Sequence, residues 1–194
     1  MNRPSPRDSA RHEAAHALVA WLSGISLKTC EIRSRAVNPE ERRFVTLGFT
    51  TVTDEESARM NALLRAPTEL SEDERELRAR HLLFAVAGFV AEQHAGTSSQ
   101  ETTGADRRSA LLMAGRLAGG RVTGEGLTAR SEVPADKRSR AIKVLSEAEE
   151  QAQKLLADHE SAWDGLASLL INHGSLTGDQ VSQFLTTQVG KRDR

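Results

Sequence analysis

Hydrophobic positions divide the chain into helical and strand-like segments before any chemistry is considered. Over residues 6–23, Ala10, Ala14, Ala17, Leu18, Trp21 and Leu22 form an apolar stripe at helical spacing. Ser5 and Asp8 make a capping-box pair, Pro6 suits the first helical position, and Gly24 marks the stop. Residues 28–35 and 43–52 are rich in β-branched side chains and alternate, with Asn38-Pro39 as the turn signal between them. They read as an antiparallel pair, with a bulge or a close approach at Gly48. Thr53 with Glu56, and Ser71 with Glu74, open two further helices, the first ending before Pro67 and the second near His94. The charged first half of the second helix reads as solvated, and its apolar second half, from Leu82, as core. Residues 96–104 have loop composition, and a helix with Ala110, Leu111, Ala114 and Leu117 on one face begins at Asp106. Gly119-Gly120 ends it, and 122–136 reads as an exposed, mobile loop. The remainder is helical: 137–159, a shorter piece with Trp163, Leu166, Leu169 and Leu170, and a last helix capped by Thr177 and Gln180.

Composition narrows the class. A chain of 194 residues with formal charge −1 and charged residues of both signs mixed along it offers no basic patch for nucleic acid. The N-terminal residues lack the apolar stretch of a signal peptide. The longest apolar run, 82–91, is about half the ~20 residues that cross a bilayer. Cys30, the single cysteine, forms no internal disulfide and reads as a small buried side chain in a reducing compartment. The expectation is a cytoplasmic chain with no membrane segment.

One stretch of the first helix carries chemistry. His12-Glu13-Ala14-Ala15-His16 is an H-E-x-x-H motif. Positions i and i+4 stand one above the other on a helix, so both imidazoles can face one metal, and Glu13 can serve as general base to a water held there. A catalytic zinc needs a third protein ligand and an open fourth position. Metzincins add a glycine and then a histidine at the places that Val19 and Leu22 fill here, so that class is excluded. His81, Glu92, His94, Glu101 and Asp106 remain as third-ligand candidates, and spacing alone does not choose among them.

Several stretches, in order, resemble the peptidase domain of the FtsH family of membrane-bound AAA proteases. HEAAHALVAWL at 12–22 is similar to the family's zinc helix, and LGFTTVTDEE at 47–56 to its L-G-x-T segment. AGFVAEQHAG at 87–96 resembles its G-R-x-A-E-E helix, and TTGADRRSALLMA at 102–114 its T-T-G-A turn and following helix. The stretch 141–185 resembles its closing helices. The resemblance implies an aspartate after the T-G-A turn as third ligand. An ungapped alignment puts Arg108 there, and a two-residue deletion puts Asp106 there with Ala110 and Ala114 kept in phase. Glu92 matches a family glutamate and suits either a structural role or support of a histidine ligand. The chain departs from the family at Ala15, where the family has glycine, and in the shortened loop before Asp106. It also holds no phosphate-binding G-x-x-x-x-G-K-[ST] sequence.

The resulting expectation is an α+β, mainly helical fold. It has a zincin-like active-site helix, a small antiparallel strand pair and a C-terminal helical bundle. One domain spans 1–194: a zinc-site core (1–118), a flexible loop (119–136) and C-terminal helices (137–194). His12, His16 and Asp106 would hold Zn²⁺ and Glu13 would act as base, in a stand-alone endopeptidase for unfolded or flexible polypeptide. A homo-oligomer and a separate ATPase partner are both open. The alternative is a non-catalytic binding or regulatory protein that keeps the fold.

Overall fold

A computed structural model describes residues 5–38, 43–65, 70–94, 96, 100–123 and 130–190. It is mainly helical, with a small antiparallel sheet. Helix α1 (Pro6–Leu22) opens on the expected capping box, in which Ser5 Oγ accepts from the Asp8 N–H at 3.2 Å and Asp8 Oδ2 accepts from the Ser5 N–H at 2.9 Å. It was expected to be amphipathic. Instead it is buried from Ser9 to Trp21 at every position but the partly exposed Arg11, because helices α3 (Glu72–His94) and α6 (Glu160–His173) and the sheet pack around it. Ala10, Ala14, Ala15 and Ala17 are fully buried, and their small side chains let those neighbours come close.

Strands β1 (Leu27–Asn38) and β2 (Arg43–Val52) pair antiparallel as expected, with Cys30 opposite Thr50 and Ile32 opposite Gly48. Their turn lies outside the described residues. The pair is in fact a three-stranded sheet. A short strand, β5 (Ser175–Thr177), adds to the other side of β1, giving the order β2-β1-β5. Three residues are too few to carry a period-2 signal.

Helix α2 (Asp54–Arg65) starts with Thr53 Oγ1 accepting from the Glu56 N–H at 3.3 Å. The other half of that capping box does not form: the Thr53 N–H donates to the Ser26 carbonyl, and Glu56 turns inward to His81, Oε1 to Nε2 2.9 Å. Helix α3 (Glu72–His94) is capped by Ser71 and Glu74 and buried almost continuously from His81 to Glu92. Its charged first half is not wholly solvated, since Arg78 is completely buried.

Helix α4 (Gln100–Leu117) begins six residues before Asp106, so part of the expected loop at 96–104 is helix and Asp106 lies within it rather than at its cap. The expected loop at 119–136 also contains structure. Strands β3 (Arg121–Thr123) and β4 (Arg130–Glu132) pair antiparallel, and a 3-10 turn spans Ala135–Lys137. Residues 124–129 between the strands lie outside the described ones. Helices α5 (Arg138–Asp158), α6 (Glu160–His173) and α7 (Gly178–Val189) follow, the last with the capping box of Thr177 and Gln180. Their apolar faces join α1 and α3 in one core that includes Trp163, Leu166, Leu170, Val181 and Leu185. Among the described residues no helix is long and apolar enough to cross a membrane.

Candidate metal centre

Two helices meet along matching stripes to build the site. On α1, His12 and His16 stand one turn apart. On α3, Phe84, Gly88 and Glu92 recur every fourth residue and so share one face. Each member of that face serves the histidines differently. The Phe84 carbonyl lies 2.8 Å from His16 Nδ1, and the Glu92 carboxylate lies 2.9 Å from His12 Nδ1. A carbonyl and a carboxylate only accept, so each Nδ1 carries a hydrogen. In neutral imidazoles that leaves the Nε2 lone pairs for a ligand. Gly88 provides room: a Cβ there would stand 2.4 Å from both Nε2 atoms.

The third side chain comes from α4. Asp106 Oδ2 is 3.0 Å from His12 Nε2 and 3.3 Å from His16 Nε2, and the two Nε2 atoms are 3.2 Å apart. Tetrahedral zinc with Zn–N and Zn–O bonds near 2.0–2.1 Å spaces its ligand atoms about 3.3–3.4 Å apart. The three donors already stand at almost those separations. Two nitrogens and one carboxylate oxygen, two of the three residues buried and the third partly so, are a donor set suited to zinc. Glu92 and the Phe84 carbonyl supply hydrogen bonds of the kind that orient imidazoles able to hold a metal.

Electrostatics agrees with this clustering. Burial pushes the His12 pKa down, but its bonds to Asp106 and Glu92, with the nearby Glu13 charge, overcome that and raise it to about 10. Burial pushes Asp106 up, and the two histidines outweigh it, holding its carboxyl well below the usual carboxylate range. Without metal these opposite shifts favour a protonated His12 against an ionised Asp106.

Glu13 is buried beside the triad, its Oε1 3.9 Å from His12 Nε2. Burial raises its pKa, against the pull of His16, His12 and the bond from Thr50. It lies against β2, where a Cβ on Gly48 would meet its Cγ at 2.3 Å. The close approach expected at Gly48 is therefore an approach to this carboxylate. Thr50, two residues on and on the same face of the strand, donates from Oγ1 to Glu13 Oε2 at 2.7 Å.

Of the other third-ligand candidates, His81 is paired with Glu56, and His94 stacks edge-on to Trp163 with ring centroids 5.7 Å apart. The Glu101 side chain lies outside the described residues. Trp163 also anchors the motif helix. Its indole Nε1 donates to the Arg11 carbonyl at 2.7 Å, and the Arg11 guanidinium lies 4.2 Å over its ring. Cys30 is a buried thiol whose pKa burial raises to about 12, in keeping with a packing role. Sequence reasoning singled out His12, Glu13, His16, Glu92 and Asp106, and missed Gly88, Phe84 and Thr50. The four-residue spacing of 84, 88 and 92 puts them on one helix face but does not tell that this face meets α1. The sequence matches no protein-family model and no curated protein.

Proposed function

We propose that this chain is a zinc-dependent endopeptidase acting on unfolded or flexible polypeptide, with His12, His16 and Asp106 as metal ligands and Glu13 as general base. The observation that carries this reading is the meeting of three donor atoms at 3.0–3.3 Å with a buried carboxylate alongside. Zinc bound there would supply Lewis acidity, lowering the pKa of a bound water towards ~7 and polarising a substrate carbonyl. Glu13 Oε1, the oxygen not engaged by Thr50, takes the proton released as water adds to the scissile carbon. The same oxygen returns it to the amine nitrogen as the C–N bond breaks, so the carboxylate ends as it began. His12 and His16 are held with Nε2 forward by Glu92 and the Phe84 carbonyl throughout.

Substrate form follows from the sheet. β2 is an outer strand and carries Gly48 and Thr50 against Glu13, so an extended peptide adding along its free side would pass the carboxylate. Such binding requires exposed backbone. Stable domains keep only about 10⁻³ to 10⁻⁶ of their molecules unfolded, which favours unstructured chains and flexible tails as substrates.

The metal assignment is tested by elemental analysis after loading with zinc at neutral pH. About one zinc per chain is expected, with His12→Ala and His16→Ala losing it and Asp106→Ala holding it more weakly. A wild-type chain that takes up no zinc would end the reading.

A further inference from the structure

We infer that Thr50 is a positioning residue that aims the Glu13 carboxylate, fixing which of its two oxygens faces the metal ligands. The inference deepens the metallopeptidase reading and rests on it. Proton accounting carries it. The Thr50 hydroxyl has a single hydrogen and two acceptors within reach: Glu13 Oε2 at 2.7 Å and the Glu13 backbone carbonyl at 3.1 Å. The carboxylate is the closer and, when ionised, the stronger acceptor, so the hydrogen goes there. The carbonyl is left to the Cys30 thiol, 3.5 Å away, which lies 3.3 Å from Thr50 Oγ1 as well. Cys30 and Thr50 are opposite one another on β1 and β2, so sheet register holds both donors over the same residue of α1.

Beside Thr50 on the same face of β2 stands the wall that makes aiming effective. Gly48 brings bare backbone so close to Glu13 that a Cβ would stand 2.5 Å from Oε1. With one oxygen bonded to Thr50 and the side chain seated on Gly48, the carboxylate is left one orientation, Oε1 towards His12 Nε2 at 3.9 Å. A Glu side chain has three torsions to lose, and a general base must sit within hydrogen-bond reach of its proton. Fixing those torsions beforehand is a contribution to the reaction that needs no contact between Thr50 and substrate.

The test uses Thr50→Val, which keeps shape and strand preference but removes the hydroxyl, and Thr50→Ser, which keeps the hydroxyl. With zinc-loaded protein and an unfolded polypeptide substrate, Thr50→Val should lower kcat by on the order of 10–100-fold. KM and zinc content should stay at wild-type values, and Thr50→Ser should recover most of kcat. Crystal structures of wild type and Thr50→Val should show the Glu13 carboxylate rotated away from its wild-type position. A Thr50→Val protein with wild-type kcat, or an unmoved carboxylate in it, overturns the inference. So does a Thr50→Ser protein as slow as Thr50→Val. A wild-type chain that binds zinc but cleaves nothing would instead sink the peptidase reading, and the two crystal structures would then decide the role of Thr50 alone.

Discussion

His12 is held from both ends of its ring, by Glu92 at Nδ1 and Asp106 at Nε2, and this makes it a proton trap as well as a proposed ligand. Its pKa of about 10 in the metal-free fold lies above the ordinary value of 6.5. The folded state therefore binds the extra proton between those two values and the unfolded state does not. Its contribution to stability is fully present below about pH 6.5 and is lost as pH rises towards 10. Asp106 runs the other way: its lowered pKa gives stability that is fully present above the ordinary carboxylate range and is lost as pH falls below it. Urea unfolding of metal-free protein should therefore show a midpoint that drops between pH 7 and pH 10, with a smaller drop in His12→Gln. A midpoint equally flat in both proteins would show that His12 does not hold this proton. Zinc must displace the same proton, so metal should bind more tightly at pH 8 than at pH 6.

At the scale of elements, the site is a close meeting of α1 and α3, and Gly88 sets how close. Glycine within a helix costs roughly 1 kcal/mol relative to alanine, so Gly88→Ala should favour α3 by itself. The added methyl would nevertheless fall 2.4 Å from both imidazole Nε2 atoms and force the rings aside. The expected result is a folded, helical protein by circular dichroism whose zinc affinity is at least ~10-fold weaker, since ligand support of this kind is worth 10–100-fold. Wild-type affinity in Gly88→Ala would show that the glycine is not needed there. Helix starts were legible in the sequence because caps are local: Ser5, Ser71 and Thr177 each bond within their own first turn. Glu56 looked like the same device and was not, because the buried His81 offered it a partner from another helix. The strand β5 was likewise invisible, since its pairing with β1 rather than local preference sets it. The H-E-x-x-H pair is readable as spacing. Gly88 and Thr50 are not, because their roles exist only once α3 and β2 lie against α1.

Across the whole molecule, the motif helix is the piece that α3, α6 and the sheet enclose. The sheet covers one side with Thr50 and Gly48, α3 another with Glu92 and Gly88, α4 brings Asp106, and α6 pins Arg11 through Trp163. Such enclosure fixes side chains in place and leaves Asp106 as the partly exposed member of the cluster. It explains how a chain of 194 residues with a core of mostly alanine and leucine can hold four buried polar or charged side chains, Ser9, His12, Glu13 and His16, on one helix. The central claim is that this enclosure serves zinc-dependent peptide hydrolysis with Glu13 as the base. Its most direct test compares zinc-loaded wild type with Glu13→Gln, at matched metal content, on an unfolded polypeptide. The account predicts fragments from wild type and a rate at least ~10²-fold lower from Glu13→Gln. Equal cleavage by the two proteins, or none by zinc-loaded wild type, would contradict it.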